Sequence, residues 1–283
     1  MAALTPDKTK VSPEFIYWLL KGKKEELNSK GTGSTFKAIG RKVLEETLVP
    51  DIGLETQIEY SEILEKVYSI IQHRKQELQR LDELIKARFV ELFGDPVINE
   101  KGWKTKFLLD MGNCKNGMNF HYDDCGVEIN CLGVGDFKDL SVIDNTGHLP
   151  TVSLNEMPSE EYLLKDDDIV FVRSNGNKAL VGRSVAVYPG DVITTFSGFC
   201  IRYRKHDDAV TIPYLLRVLK TDSIRRKMAG RGANIQNLNQ QILGTLLIPV
   251  PPIEIQNEFS DFVKQVVKSK FHRIHRREHY DKN

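Results

Sequence analysis

The sequence is poor in cysteine, has no long apolar run and carries almost no net charge, and each lack removes a class of protein. Four cysteines in 283 residues, Cys114, Cys125, Cys131 and Cys200, make no CxxC pair and have no histidine at ligand spacing. Neither a zinc site nor a disulfide scaffold is expected; reduced, partly buried thiols are. No stretch approaches the roughly 20 apolar residues that span a bilayer, and Asp7, Lys8 and Lys10 break any signal-like start. The expectation is a cytoplasmic chain with no membrane partner. No GKS or GKT follows Gly230-Arg231-Gly232, so a nucleotide-binding loop is not expected. Val250-Pro251-Pro252-Ile253 lacks the polar and aromatic residues with which an amino-methyltransferase holds a flipped base. Asp166-Asp167-Asp168 has the charge of a nuclease site without a partner pattern, and reads as a turn. Catalysis is therefore expected outside this chain, which binds no cofactor of its own.

What the chain does have is a repeat. Gly31 to Ser61 aligns without a gap on Gly230 to Ser260, an offset of 199 residues, with identities at Gly31/Gly230, Gly33/Gly232, Leu44/Leu243, Pro50/Pro249, Glu55/Glu254, Gln57/Gln256 and Ser61/Ser260. A period this long implies two domain-sized units, each closed by the same domain-to-helix junction. The first copy starts close to Met1, so the chain reads as the tail of one unit, a long helix, a whole unit and a final helix. Recurrence of the glycine pair argues for a turn needed at that junction; the functional alternative is that its amides and Arg231 hold a DNA phosphate.

From Leu54 to Phe93 there is no Pro or Gly. Leu64, Val67, Ile71, Leu78, Leu81 and Ile85 recur at three-four spacing, a coiled-coil-like seam interrupted by Arg74 and Arg88. The helix is expected to stop at Gly94-Asp95-Pro96. A second helix from about Ile253 offers Phe259, Phe262 and Val266, and antiparallel pairing of the two is the obvious way to bury both seams. Between them the period changes to two, with β-type runs at Val127–Gly133, Ile169–Arg173, Val181–Tyr188, Thr194–Tyr203 and Thr245–Val250, and helices only at Ile212–Lys227 and Asn237–Leu243. The expected fold is α+β: a β-rich domain flanked by long helices that form an antiparallel coiled coil. The net charge of +1 conceals a basic stretch, Arg217, Lys220, Arg225, Arg226, Lys227 and Arg231, of the kind that neutralises phosphates or solvates a helix face.

These residues together resemble a family. Phe89-Val90-Glu91-Leu92-Phe93-Gly94-Asp95-Pro96, Gly102-Trp103, Asp168-Ile169-Val170, Val181-Gly182-Arg183, Gly230-Arg231-Gly232 and Ile248-Pro249-Val250-Pro251-Pro252 followed by Glu254 and Gln256 resemble the specificity subunit of type I restriction-modification enzymes. The resemblance implies a remnant of a first target recognition domain at 1–53, a spacer helix at 54–95, a complete target recognition domain at 96–252, and a helix with a basic tail at 253–283. It implies a sequence-specific DNA-binding subunit that reads one half of a bipartite site in double-stranded DNA and docks a methyltransferase subunit and a restriction/translocase subunit. S-adenosylmethionine, ATP and Mg would reside on those partners. Such subunits usually carry two recognition domains, so the second half-site falls to a second copy or to a separately encoded half-specificity chain.

For base reading the candidates are Arg173, Asn175, Asn177, Lys178 and Arg183, since Arg or Lys pairs with guanine and Asn with adenine in the major groove. For phosphates they are Arg225, Arg226, Lys227, Arg231 and Asn234. Two readings stay open beside this one: a coiled-coil scaffold or adaptor whose β-rich domain binds protein, and an inactive fragment of a split specificity gene.

Overall fold

A computed structural model describes residues 4–31, 38–120, 124–137, 141–229 and 237–275. Arg231 and Asn234, with most of both glycine turns, lie outside the described residues. The chain divides into two compact units, Met1–Arg80 and Leu81–Asn283.

The first unit holds α1 (Pro13–Gly22), α2 (Lys24–Ser29), α3 (Arg41–Glu45) and the start of α4 (Leu54–Phe93). The second holds the end of α4 and then, among the described residues, ten strands: β1 (Thr105–Phe107), β2 (Gly112–Asn116), β3 (Val127–Leu132), β4 (Val142–Ile143), β5 (Thr151–Leu154), β6 (Asp168–Val172), β7 (Ser184–Val187), β8 (Thr194–Phe196), β9 (Cys200–Lys205) and β10 (Leu247–Pro249). Its helices are α5 (Ile212–Leu219), α6 (Asp222–Ala229), α7 (Gln240–Gly244) and α8 (Ile253–His275). α4 ends where it should: Gly94 takes φ +72, the left-handed cap that glycine adopts without strain.

The repeat runs deeper than the sequence alignment. At the same offset of 199, α3 and α7 begin at Arg41 and Gln240, and α4 and α8 at Leu54 and Ile253. The glutamine near the start of each long helix makes the same bonds in both units. Gln57 Oε1 accepts from Ser12 N at 3.0 Å while its Nε2 donates to the carbonyls of Lys10 (3.2 Å) and Ile52 (2.8 Å). Gln256 Oε1 accepts from Thr211 N at 2.8 Å and its Nε2 donates to Ala209 (3.0 Å) and Pro251 (2.8 Å). Ser12 and Thr211 in turn cap α1 and α5, accepting from the amides of Phe15 and Tyr214. One buried amide side chain thus ties a helix entrance, a capped turn and the preceding chain together, twice.

The main sheet has the order β2-β9-β6-β7-β4, antiparallel except for the β4–β7 pair; β5-β3-β8 forms a second sheet and β1-β10 a ribbon. Side chains alternate across β6, so Ile169 and Phe171 pack with α4, α5, α6 and α8 while Val170 and Val172 pack with Leu132, Phe137 and Phe196. Buried on both faces, β6 reads as an unbroken apolar run. Phe89, Phe93, Tyr214 and Phe259 form an aromatic knot with ring centroids 4.7–5.9 Å apart. α8 crosses the end of α4 antiparallel: Arg88 pairs with Glu258 at 2.5 Å and Asp82 with Lys270.

Along the seams, Phe259 and Val266 are buried and Phe262 half-buried on α8; on α4, Ile85, Leu81, Leu78 and Ile71 are half-buried, whereas Leu64 and Val67 are 42% and 47% exposed. Three sequence expectations are corrected. The run Thr194–Tyr203 is two strands divided by Ser197-Gly198-Phe199, and Ile212–Lys227 is two helices divided at Lys220-Thr221. In Val181–Tyr188 only Ser184–Val187 is strand, after a 3-10 turn at Lys178–Leu180. β2, with the sequence Gly-Asn-Cys-Lys-Asn, carries no strand signal and owes its conformation to pairing with β9.

Candidate nucleic-acid interface

The registers bring the end of β2 and the start of β9 together at Asn116–Ile201, the end of β6 and the start of β9 at Val172–Cys200, and the end of β6 and the start of β7 at Phe171–Ser184. One end of the main sheet therefore gathers the chain after β2, the long β6–β7 loop and the β8–β9 turn. Backbone bonds lock them to each other. Arg173 N and Ser174 N donate to Phe199 O (2.7 and 3.4 Å), Gly198 N to Met118 O (2.6 Å) and Gly117 N to Cys200 O (3.1 Å). Leu238 N, ahead of α7, donates to Arg173 O at 2.8 Å, and Gln240 Nε2 to Asn116 Oδ1 at 3.4 Å. A side chain at Gly117 would collide with the backbone of Phe196 and Ser197, so the close approach of two loops requires glycine there.

On this frame Arg173 is half-buried, its Nη1 donating to Gly198 O at 3.2 Å. Asn175 Oδ1 accepts from Asn177 N (2.8 Å) and Asn177 Oδ1 from Ala179 N (3.1 Å), two local turns, with Asn175 itself half-buried. Asn177 and Lys178 are exposed. Phe199, at the tip of the β8–β9 turn, is 60% exposed. Phe199, Asn116 and Gln240 join the candidates only through the fold. The Ser-Gly pair before Phe199 was the available signal, a turn marker inside an apparent strand.

The basic stretch does not form a single face, because successive helical residues point about 100° apart. Arg226 and Lys227 are exposed, while Arg225 is half-buried, its guanidinium held below the ordinary arginine range by burial and then by Arg183. Arg183, at the end of the β6–β7 loop, is therefore near enough to α6 for its charge to act on Arg225. Arg217 and Lys220 turn inward and line a cavity of about 460 Å³ with Asp82, Ile85, Tyr188 and Phe259. Burial, then Arg217, lowers Lys220 to about 8.

Of the thiols, Cys131 and Cys200 are buried, Cys114 half-buried and Cys125 exposed, and all four are free. Burial pushes Cys114 and Cys131 up to about 12. They are inert packing groups. Among the described residues no helix is long and apolar enough to cross a membrane.

This end of the sheet presents side-chain amides, cations and one exposed aromatic. Residues 100–278 match the family described as type I restriction modification DNA specificity domain. The chain belongs to this family. The StySPI specificity subunit of Salmonella potsdam is 24% identical over 93% of the chain and 60% of its own length. The MjaVIII specificity subunit of Methanocaldococcus jannaschii is 20% identical over 89% of the chain and 63% of its own length. The chain thus spans about three fifths of these specificity subunits. Among solved structures, the S subunit of a type I restriction-modification system from M. genitalium gives a TM-score of 0.55 at 15% identity, covering 94% of this chain and 68% of that one. A chain from a structure of complex assembly and conformational transition in the type I R-M system also gives 0.55, at 16% identity over 95% and 67%. The S-subunit fold, a long helix leading into a β-rich recognition domain with a second helix behind it, is the fold of this chain.

Proposed function

We propose that this member of the specificity family is a non-catalytic DNA-reading subunit. The second unit reads one half of a bipartite site, and α4 and α8 dock a methyltransferase subunit, and with it a restriction subunit, at a set spacing. S-adenosylmethionine, ATP and Mg belong to those partners. The observation that carries this reading is the convergence of Arg173, Asn175, Asn177, Lys178 and Phe199 on one locked end of the sheet, with Arg183 near enough to α6 for its charge to act on Arg225. The amides and cations suit adenine and guanine edges, the aromatic suits a thymine methyl, and Arg226 and Lys227 suit phosphates. A second copy of this chain, or a separate half-specificity chain, is the proposed partner on the other half-site.

The test is base-resolution methylation mapping in a host that co-expresses this chain with the methyltransferase subunit encoded beside it. A split palindromic motif supports a subunit acting as a two-fold dimer. A split asymmetric motif supports a second, different recognition chain. Absence of any new methylated motif overturns the proposal.

A further inference from the structure

Arg202 is 3% exposed, yet its guanidinium lines a cleft of about 470 Å³ between β2, β9 and the 3-10 turn at Glu160–Tyr162. Its neighbour Arg204 has a carboxylate of its own, with Nε 2.7 Å from Asp168 Oδ1 and Nη2 2.7 Å from Oδ2. Among the described residues Arg202 has only neutral acceptors: Nη1 donates to Asn113 Oδ1 at 3.1 Å and Nη2 to the carbonyl of Glu161 at 3.3 Å, and its buried Nε has no partner there. The acids at the rim are engaged elsewhere, Glu161 with Lys115 (2.5 Å) and Glu160 with Lys165 (3.1 Å). Burial, and then Arg204, hold the Arg202 guanidinium below its ordinary range. A charge taken out of water with no carboxylate hydrogen-bonded to it, and only the field of Asp168 and Glu161 to offset Arg204, is costly, and the cost is recovered when an anion arrives.

We propose that the cleft is a phosphate seat, in which Arg202 from the floor and Lys115 from the rim hold one phosphodiester of the bound DNA. This rests on the DNA-reading function proposed above. The seat is adjacent to the reading end: Lys115 pairs with Arg202 in register, next to the Asn116–Ile201 pair from which the loops spring, roughly 3.4 Å along the strand. A planar guanidinium matches a phosphate bidentately, as an ammonium at the rim does not. Entry of the phosphate takes Lys115 from Glu161, so Glu161 opposes binding.

The experiment is equilibrium binding of duplex DNA by the full chain across a salt series from about 50 to about 200 mM. Arg202→Met is expected to reduce the slope of log K against log salt by about 0.9, the value for one phosphate contact, on every sequence tested. Lys115→Gln should weaken binding in the same way and Glu161→Gln should strengthen it. A buried arginine that only braced the 3-10 turn would melt the protein when removed, whereas Arg202→Met is expected to leave the thermal midpoint unchanged or raised. An unchanged slope in Arg202→Met, or in Lys115→Gln should the first variant fail to fold, overturns the seat while the reading function stands. Wild-type chain that binds no duplex overturns both. Inorganic phosphate that raises the midpoint of wild type but not of Arg202→Met, with DNA slopes alike, assigns the anion to another source and also overturns the seat on DNA.

Discussion

Asp166, Asp167 and Asp168 show how residues alike in sequence diverge by environment. Asp166 Oδ1 accepts from Gly190 N at 3.0 Å, Asp167 takes φ +71 in the turn, and Asp168, fully buried, accepts from Lys165 N at 2.8 Å and from Nε and Nη2 of Arg204. The turn expected from the acidic run is present, but its last member is also the counter-ion of the sheet. Asp168→Asn strands a largely buried guanidinium and is expected to cost about 3–5 kcal/mol, against roughly 0.5 for Asp166→Asn, in urea unfolding at neutral pH. Lys220 supplies a pH signature of opposite kind. Its folded pKa of about 8 lies below its ordinary 10.5, so between these values the unfolded chain binds more protons. The penalty is fully present below about pH 8 and is relieved as pH rises toward 10.5, so this residue makes stability climb across that window by up to about 3 kcal/mol. Lys220→Met should flatten the climb; a profile identical to wild type would refute the assignment.

Among the elements, those with strong local periodicity were legible in the sequence and those made by partners were not. α4 and α8 announce themselves through apolar spacing and the Gly94-Asp95-Pro96 stop, and β6 through an apolar run buried on both faces. β2 and β5 have no such signal, because only pairing with β9 and β3 makes them strands. The candidate loops were partly legible: Asn175, Asn177 and Lys178 stand in an obvious turn, whereas Phe199 hides inside an apparent strand and Arg217 and Lys220 look exposed in a basic run although they face inward. Gln57 and Gln256 were visible as identities, yet their role as fasteners needed coordinates. Gln256→Ala removes three hydrogen bonds in a buried position, worth about 1 kcal/mol each, and leaves Thr211 N unsatisfied. A loss of about 3 kcal/mol is expected, with faster amide exchange at Thr211. Exchange at Ser12, held by Gln57 in the other unit, should be unaffected; equal acceleration at both would mean the two fasteners do not act independently.

For the whole molecule, the repeat makes a concrete demand on assembly. Phe259 of α8 packs on Phe89 and Phe93 of α4, Val263 packs against the same core and Val266 is buried, but the residues 199 positions earlier, Tyr60, Leu64 and Val67, are 50%, 42% and 47% exposed, with Ile63 and Ile70 at 50% and 58% beside them. Apolar side chains at i, i+3, i+4 and i+7 of one helix form a stripe suited to another helix. If a second copy supplies the second recognition domain, head-to-tail pairing about a two-fold axis places equivalent helices on these stripes in both copies at once. The expected species at micromolar concentration is a dimer by sedimentation, alone or on addition of the methyltransferase subunit. Ile63→Asp with Val67→Asp should convert it to monomer and abolish methylation of the split motif, because one recognition unit reads only one half-site. The same pair should leave binding to a single half-site duplex intact, since the reading end of the sheet lies wholly within the second unit. Monomer in every condition, with full methylation of the split motif, would remove the dimer.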